Sequence, residues 1–154
     1  INKYKLNKYS KIIDIGCGKG HLVYELTKLL NSKNIIGIDI SKHAVKTSPK
    51  LIRKQLKIYD VRKGLKYKNK KFDLAISINL IHNFEIFHLK KFLKEIMKIS
   101  KNSFISTESY KNENELFNLQ CWALTCESFF SEQEWKWILN EYGYQRDYEL
   151  IFFS

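Results

Sequence analysis

Cysteine is scarce in this sequence, and its spacing excludes several classes of protein. Only Cys17, Cys121 and Cys126 occur among the 154 residues, and no two of them form a CxxC pair. An odd number of cysteines does not close a set of disulfide bonds, so we expect reduced thiols, as in most cytoplasmic proteins. The sequence also predicts no metal site.

Long apolar runs are absent too. No segment approaches the roughly twenty apolar residues that cross a bilayer, and residues 2–11 lack the apolar stretch of a signal peptide. These observations predict a cytoplasmic enzyme without membrane contact. The first residue is Ile1 and not Met, so this interpretation leaves both ends of the chain open to extension.

Acidic residues are outnumbered by basic ones. Sixteen Asp and Glu against 27 Lys and Arg give a formal net charge of +11, which suggests nucleic acid, anionic membranes or acidic substrates as partners. The lysines, however, are spread over every segment, and the densest stretch, residues 63–71, has only Tyr67 and the adjacent Phe72 as aromatic neighbours. A lysine-rich composition is the simpler explanation, so nucleic acid stays an alternative partner that we do not favour.

Apolar content is sufficient for one folded domain. Hydrophobic residues make up 44% of the chain and aromatic residues 14%, which supports a core and argues against global disorder. No repeat or low-complexity linker interrupts the sequence, and its length suits a compact unit. We therefore treat residues 1–154 as a single domain.

Strand and helix patterns alternate along the chain. Continuous apolar strands of this kind are expected where helices cover both faces of a parallel sheet. The sequence thus predicts an α/β fold with a doubly wound, mostly parallel Rossmann-like sheet of about six strands. We expect strands at residues 11–15, 34–40, 56–59, 72–78, 103–107 and 148–153. We expect helices at residues 19–30, 85–99, 115–127 and 131–142, and the last of these is started by Ser131, which Glu132, Gln133 and Glu134 follow. We expect a further helix between a Ser41 N-cap and Pro49.

The most informative motif is a glycine-rich loop at the first strand-to-helix turn. It reads Asp14-Ile15-Gly16-Cys17-Gly18-Lys19-Gly20, or D-x-G-x-G-x-G. Glycine at such a turn lets the chain turn tightly and lets a ligand approach the backbone closely. Dinucleotide-binding loops prefer G-x-G-x-x-G, and the GK[ST] ending of a phosphate-binding NTPase loop is absent.

Over residues 11–107 the chain resembles the class I S-adenosylmethionine-dependent methyltransferases. In that family the first strand ends in an acidic residue followed by G-x-G-x-G, which Asp14, Gly16, Gly18 and Gly20 match position for position. The resemblance implies that the loop wraps the methionine half of S-adenosyl-L-methionine. It also implies a Rossmann-like fold and methyl transfer as the activity.

Two further acidic residues follow the next two strands. Asp39 ends the second strand, where a carboxylate can accept hydrogen bonds from both ribose hydroxyls, and the resemblance implies the same role. Asp60 precedes Val61 after the third strand, where family members often bind the adenine amino group and a ring nitrogen. Each acid also has a simpler explanation: Asp14 as a partner of loop amides, Asp39 as a charge at a helix N-terminus and Asp60 as a turn residue.

The end of the fourth strand completes the expected cofactor site. Asn79 lies where the family holds the amino group of the cofactor. It opens the sequence N-L-I-H and not N-P-P-[YF], which argues against methyltransferases that act on exocyclic base or glutamine nitrogens. The residues that we expect to bind the cofactor are Asp14, Gly16, Cys17, Gly18, Gly20, Asp39, Ile40, Asp60, Val61 and Asn79.

Two residues are candidates for the chemistry. His82 follows Asn79 by three positions, and an imidazole accepts a proton from a hydroxyl nucleophile near neutral pH. Glu108, which we place just past the fifth strand, is expected to hold a substrate hydroxyl or amine. The alternatives are a histidine that orients its loop and a solvated loop acid.

Three functions are open on this sequence. The favoured one is methylation of a small molecule, with a hydroxyl oxygen as the expected target; the others are RNA methylation and a non-catalytic subunit with a cofactor-binding fold. The order of NLIHNF, a helix containing Trp122 and the terminal GYQRDYELIFF is similar to small bacterial methyltransferases of sugar or secondary-metabolite pathways.

Overall fold

Six parallel strands form a single sheet among the residues that the structure describes. The computed structural model describes residues 2–153, so Ile1 and Ser154 lie outside the described residues. The strands are β1 (Ile12–Ile15), β2 (Ile35–Asp39), β3 (Leu56–Ile58), β4 (Phe72–Ile78), β5 (Ser100–Ser109) and β6 (Asp147–Phe152). Their order across the sheet is β3-β2-β1-β4-β5-β6, and each strand runs parallel to its neighbours, so the predicted fold class is confirmed.

The centre of the sheet is β1, whose four residues are all buried. Ile13 pairs with Ile36 of β2 on one side and with Ala75 of β4 on the other. Because both faces of this strand are covered, an uninterrupted run of apolar residues is stable there and alternation is not needed. All strands are parallel, so their carboxyl ends meet at one edge of the sheet.

Within residues 2–153, five α-helices accompany the sheet. They are α1 (His21–Leu30), α2 (Lys42–Lys46), α3 (Ile86–Ile99), α4 (Glu113–Trp122) and α5 (Glu132–Glu141). The apolar sides of α3 and α5 form the core on one face, and α1 and α2 form it on the other. The first cluster includes Leu89, Phe92, Leu93, Ile96, Trp135, Ile138 and Leu139, and the second includes Val23, Leu26, Leu30 and Val45.

Serine side chains start two of these helices, as the sequence predicts. The hydroxyl of Ser41 accepts a hydrogen bond from the N–H of Ala44 and caps α2. Ser131 and Glu134 form a reciprocal capping box at the start of α5. Gly143 follows α5 with a φ of 72°, a left-handed conformation that ends helices and that glycine adopts without strain.

The fifth strand is longer than predicted. Residues 103–107 were the expected limits, but β5 extends from Ser100 to Ser109 and begins directly after α3. Its polar ends carry no β-branched signal; they are extended because β4 pairs with Ser100 and β6 pairs with Ser109. Glu108 therefore lies within this strand and not in a loop beyond it.

The fourth helix is shorter than predicted. We expected it over residues 115–127, but it ends at Trp122. The N–H groups of Glu127 and Ser128 donate instead to the carbonyl oxygen of His82, at 2.9 and 3.0 Å. Bonds to a distant turn thus replace the last helical turn that local sequence favours.

Within residues 2–153, no helix has both the length and the apolar character needed to cross a membrane.

Candidate functional site

The glycine-rich loop connects β1 to α1 through left-handed backbone conformations that glycine adopts without strain. Gly16, Gly18 and Gly20 have φ angles of 81°, 53° and 76°, which side chains with a Cβ rarely adopt. A Cβ on Gly16 would lie 3.0 Å from the side chain of Leu80, whereas at Gly18 nothing lies within 4 Å. The Gly18 Cα therefore faces open space.

Gly20 serves packing and not ligand access. A Cβ at this position would come within 2.7 Å of Ile52 and 2.8 Å of Leu56. Glycine thus lets the start of α1 approach the layer next to β3. This is the role that the last glycine plays in related nucleotide-binding turns.

Asp39 holds the loop in place from the end of β2. Its two carboxylate oxygens accept hydrogen bonds from the N–H of Gly18 at 2.8 Å and from the N–H of Ser41 at 2.7 Å. Asp39, and not Asp14, is therefore the partner of the loop amide. Each oxygen retains a second lone pair for a ligand hydroxyl.

Asp14 is buried beneath the loop, with only 4% of its surface exposed. Burial, assisted by the nearby charge of Asp39, raises the pKa of the Asp14 carboxyl to about 7. Burial also raises the pKa of the Cys17 thiol to about 12, and Cys17 packs against Gly37 of β2. The thiol is thus neutral and faces the sheet, so Cys17 offers a ligand its backbone only.

Asp60 follows β3 and is already paired. Its carboxylate accepts two hydrogen bonds from the Arg62 guanidinium, at 2.9 and 3.0 Å, and one from the Arg62 N–H at 3.1 Å. The guanidinium lowers the pKa of the Asp60 carboxyl. Val61, between them, is buried, so its backbone is held firmly at the end of the strand.

Asn79 ends the fourth strand in a left-handed conformation, with a φ of 52°. Its N–H donates to the carbonyl oxygen of Ser106 at 3.1 Å, and the Ser106 hydroxyl donates to its side-chain oxygen at 3.3 Å. Both contacts tie this turn to β5. Leu80 then packs over Gly16 and brings the turn next to the glycine-rich loop.

A cavity of about 450 Å³ lies at the carboxyl ends of the strands, within the range of small-molecule sites. Among the predicted cofactor residues, those that line it are Gly16, Asp39, Ile40, Asp60, Val61 and Asn79. The lining does not include Asp14, Cys17, Gly18 or Gly20. Gly18 is next to it, because its N–H donates to Asp39, which does line the cavity. The lining also includes residues that sequence reasoning did not single out: Ile38, Tyr59, Arg62, Leu80, Asn83, Phe84, Thr125 and Glu127.

Some of these missed residues carried a weak signal. Arg62 follows Asp60 by two positions, a spacing that allows the fork-like pair seen here. Thr125 carries no such signal. Its hydroxyl donates to the side-chain oxygen of Asn83 at 2.7 Å, and the two residues are 42 positions apart in the sequence. Contacts of this kind depend on the folded path of the segment after α4.

The two candidate catalytic residues contact each other outside the cavity. His82 lies in a 3-10 turn, Ile81–Asn83, with 5% of its surface exposed, and Glu108 is 1% exposed. The Nδ1 atom of His82 contacts the Oε2 atom of Glu108. The ring of Trp122 lies 6.2 Å from the His82 ring, edge to face, and 4.9 Å from the ring of Phe153.

The side chains that most often bind metal ions are dispersed over the described part of the chain. No three His, Cys, Asp or Glu side chains within residues 2–153 are grouped so that they could hold a metal ion. Cys121 is exposed and Cys126 half-buried, and both are free thiols.

Comparisons with known proteins agree with this geometry. A family described as "Methyltransferase domain" matches residues 6–143. A putative methyltransferase from Bacillus halodurans has a similar structure, with a TM-score of 0.71 and 15% identity over 92% of this chain and 65% of that one. A SAM-dependent methyltransferase from Archaeoglobus fulgidus gives a TM-score of 0.68 and 23% identity over 87% and 60% of the two chains.

A third similar structure is a complex between the Haloferax volcanii Trm112 methyltransferase activator and a putative methyltransferase. Its TM-score is 0.68, with 16% identity over 90% of this chain and 63% of that one. The present chain thus spans less than two thirds of the length of all three structures. No curated protein sequence matches it significantly.

The family match covers the whole cavity, from the glycine-rich loop to Glu127. It also covers His82 and Glu108. The predicted resemblance to the S-adenosylmethionine-dependent methyltransferases is therefore confirmed at the level of the family: the chain belongs to the methyltransferase domain family.

Proposed function

We propose that this chain transfers a methyl group from S-adenosyl-L-methionine to a hydroxyl of a small-molecule acceptor. The observation that carries this proposal is the position of a buried imidazole beside the cavity. His82 follows the turn at Asn79, and that turn closes one side of the cavity whose other side holds Asp39. The site thus offers a place for a nucleoside and a base for the acceptor next to it.

The residues present fit this cofactor. The carboxylate of Asp39 has free lone pairs for the two ribose hydroxyls, and Asp60 and Val61 line the cavity on the side where we expect the adenine. The free space beside Gly18, whose N–H is bonded to Asp39, leaves room for the methionine half. Asn79 has a backbone carbonyl for the amino group, at the edge where α/β sheets bind ligands.

The protein itself forms no covalent bond in the proposed methyl transfer. When bound, S-adenosyl-L-methionine supplies an activated methyl group on a sulfonium centre. The chain then has to hold the acceptor oxygen in line with that group and to take its proton. We propose His82 for the second task, because an imidazole is the side chain that generally exchanges protons near neutral pH.

An aromatic surface next to His82 supports a small acceptor. Trp122 is 49% exposed and packs against Phe153, and Leu124, two residues further along the chain, is 92% exposed. Apolar ring faces of a sugar or of an aromatic compound pack well against such side chains. This supports an acceptor from sugar or secondary-metabolite chemistry, as the C-terminal sequence suggests.

Calorimetric titration tests the cofactor. The chain is expected to bind S-adenosyl-L-methionine and its demethylated product but not NAD, because the G-x-G-x-G loop and Asp39 match the former site. A screen of sugar and phenol acceptors with radiolabelled methyl donor then identifies the product. Binding of NAD without binding of either sulfur compound would refute the proposal.

The proposed cellular setting is the cytoplasm. It is supported by the free thiols of Cys17, Cys121 and Cys126, which reducing compartments preserve. The Haloferax volcanii methyltransferase forms a complex with an activator protein. For the present chain we propose the small-molecule acceptor as the partner.

A further inference from the structure

The backbone that carries His82 is fixed on both sides. Its carbonyl oxygen accepts the N–H groups of Glu127 and Ser128, and the Ser128 hydroxyl donates to the carbonyl oxygen of Phe84. Thr125 ties the neighbouring Asn83 to the same segment. With the backbone held, the direction of the imidazole depends on rotation of the side chain alone.

The carboxylate of Glu108 contacts the imidazole ring of His82. Glu108 lies inside β5, paired with Ile151 of β6, and its carbonyl oxygen accepts the Trp135 indole N–H at 3.0 Å. Within residues 2–153, no Lys or Arg pairs with its carboxylate and no donor makes a regular hydrogen bond to it; its polar contact is Nδ1 of His82. A buried carboxylate is costly without a partner, so this contact accounts for its position.

We propose that Glu108 is a positioning residue for His82, a role that rests on the proposed methyl transfer. In this arrangement Nδ1–H of His82 donates to the Glu108 carboxylate, which fixes the tautomer and the ring direction. Nε2 then carries the free lone pair that accepts the proton of the acceptor hydroxyl. An imidazole oriented by a third group is a general way to prepare a base.

This role differs from the one that the sequence suggested for Glu108. A residue that holds a substrate hydroxyl or amine must present a polar atom to the substrate, but both carboxylate oxygens of Glu108 are buried without a regular hydrogen bond, whereas of the two ring nitrogens of His82 this is true only of Nδ1. Acting through His82 requires no such access. The burial that excludes direct contact also removes water that would compete for Nδ1.

Kinetics of Glu108 variants test the role. Glu108→Leu keeps the bulk of the side chain and removes the acceptor, so kcat is expected to fall about 10²-fold with the KM for the methyl donor unchanged. Glu108→Gln retains a carbonyl acceptor and is expected to restore part of the rate. The matched control is Glu85→Leu, which removes the 3.7 Å contact of the exposed Glu85 with the half-buried His88 and is expected to leave kcat unchanged. Unchanged kcat in Glu108→Leu would overturn the proposal.

A measurement on the unmodified protein tests the role without depending on whether the Glu108 variants fold or on whether the enzyme is active. In ¹⁵N-labelled protein the His82 ring is expected to carry its proton on Nδ1, and Glu108→Gln is expected to weaken that preference. A proton on Nε2 in the unmodified protein would overturn the proposal even if the enzyme is active. A protein with the Nδ1 tautomer that transfers no methyl group to any acceptor would refute the proposed function and leave the pairing intact.

Discussion

Asp39 has a structural task in the protein before any ligand arrives. It joins the tip of the glycine-rich loop, at Gly18, to the start of α2, at Ser41. The carboxylate therefore shapes the same surface that it is expected to offer to a ribose. Asp60 does not join separate segments in this way, because its hydrogen bonds go to Arg62, two residues further along the same turn.

This difference predicts unequal effects of the two acids on cofactor binding. Asp39→Ala is expected to weaken binding of S-adenosyl-L-methionine by roughly 2–3 kcal/mol, since it removes charge-assisted bonds to two hydroxyls. Asp60→Ala is expected to cost less, because the adjacent Val61 backbone contact survives. Isothermal titration of both variants measures the two losses. Equal losses, or a larger loss for Asp60→Ala, would place the ribose elsewhere.

Asp14 predicts a pH dependence of folding stability. Its pKa of about 7 in the folded chain lies well above the ordinary value near 4. The folded state therefore binds a proton that the unfolded state releases, and this group makes the unfolding free energy fall as pH rises from about 4 to 7. The Asp39 carboxylate and the neutral Cys17 thiol face it, and the former adds to the effect.

The measurement compares urea unfolding of the ligand-free protein and of Asp14→Asn at pH 5 and pH 8. The unmodified protein is expected to lose roughly 2–4 kcal/mol more between these pH values than the variant. An equal loss in both proteins would show that Asp14 ionises freely in the folded chain.

At the scale of elements, the sequence predicts the limits of a strand or helix where local contacts or a clear hydrophobic pattern determine them. The limits of β4 are the predicted residues 72–78, because its apolar run is bounded by polar segments. The capping box of α5 was likewise readable from Ser131. The ends of β5 and α4 were not, since pairing with β6 and bonds to His82 decide them.

The candidate site follows the same division. The loop and the acids at successive strand ends were predicted because each follows a strand directly, and parallel strands bring those ends together. The contact of His82 with Glu108 and the stacking of Trp122 on Phe153 join segments that no spacing in the sequence relates. Which acid faces a ligand and which is paired or buried also depends on packing.

At the scale of the whole molecule, the charge of +11 favours RNA as the alternative acceptor. If the charge reflects composition, RNA is expected to bind weakly and without sequence preference, and the affinity is expected to fall steeply with salt. Fluorescence anisotropy with unrelated RNAs at 50 and 200 mM salt measures this. Tight binding of one RNA at physiological salt would favour RNA methylation over a small-molecule acceptor.

The strand order also has a consequence for how the chain folds. The central strand β1 acquires its second neighbour only when β4 is available, since Ile12 pairs with Leu74. Closing a segment of about sixty residues before that pairing is rewarded costs chain entropy and slows folding. During synthesis on the ribosome, one edge of β1 thus stays unpaired until β4 has emerged, and this half-built sheet is the species most exposed to aggregation.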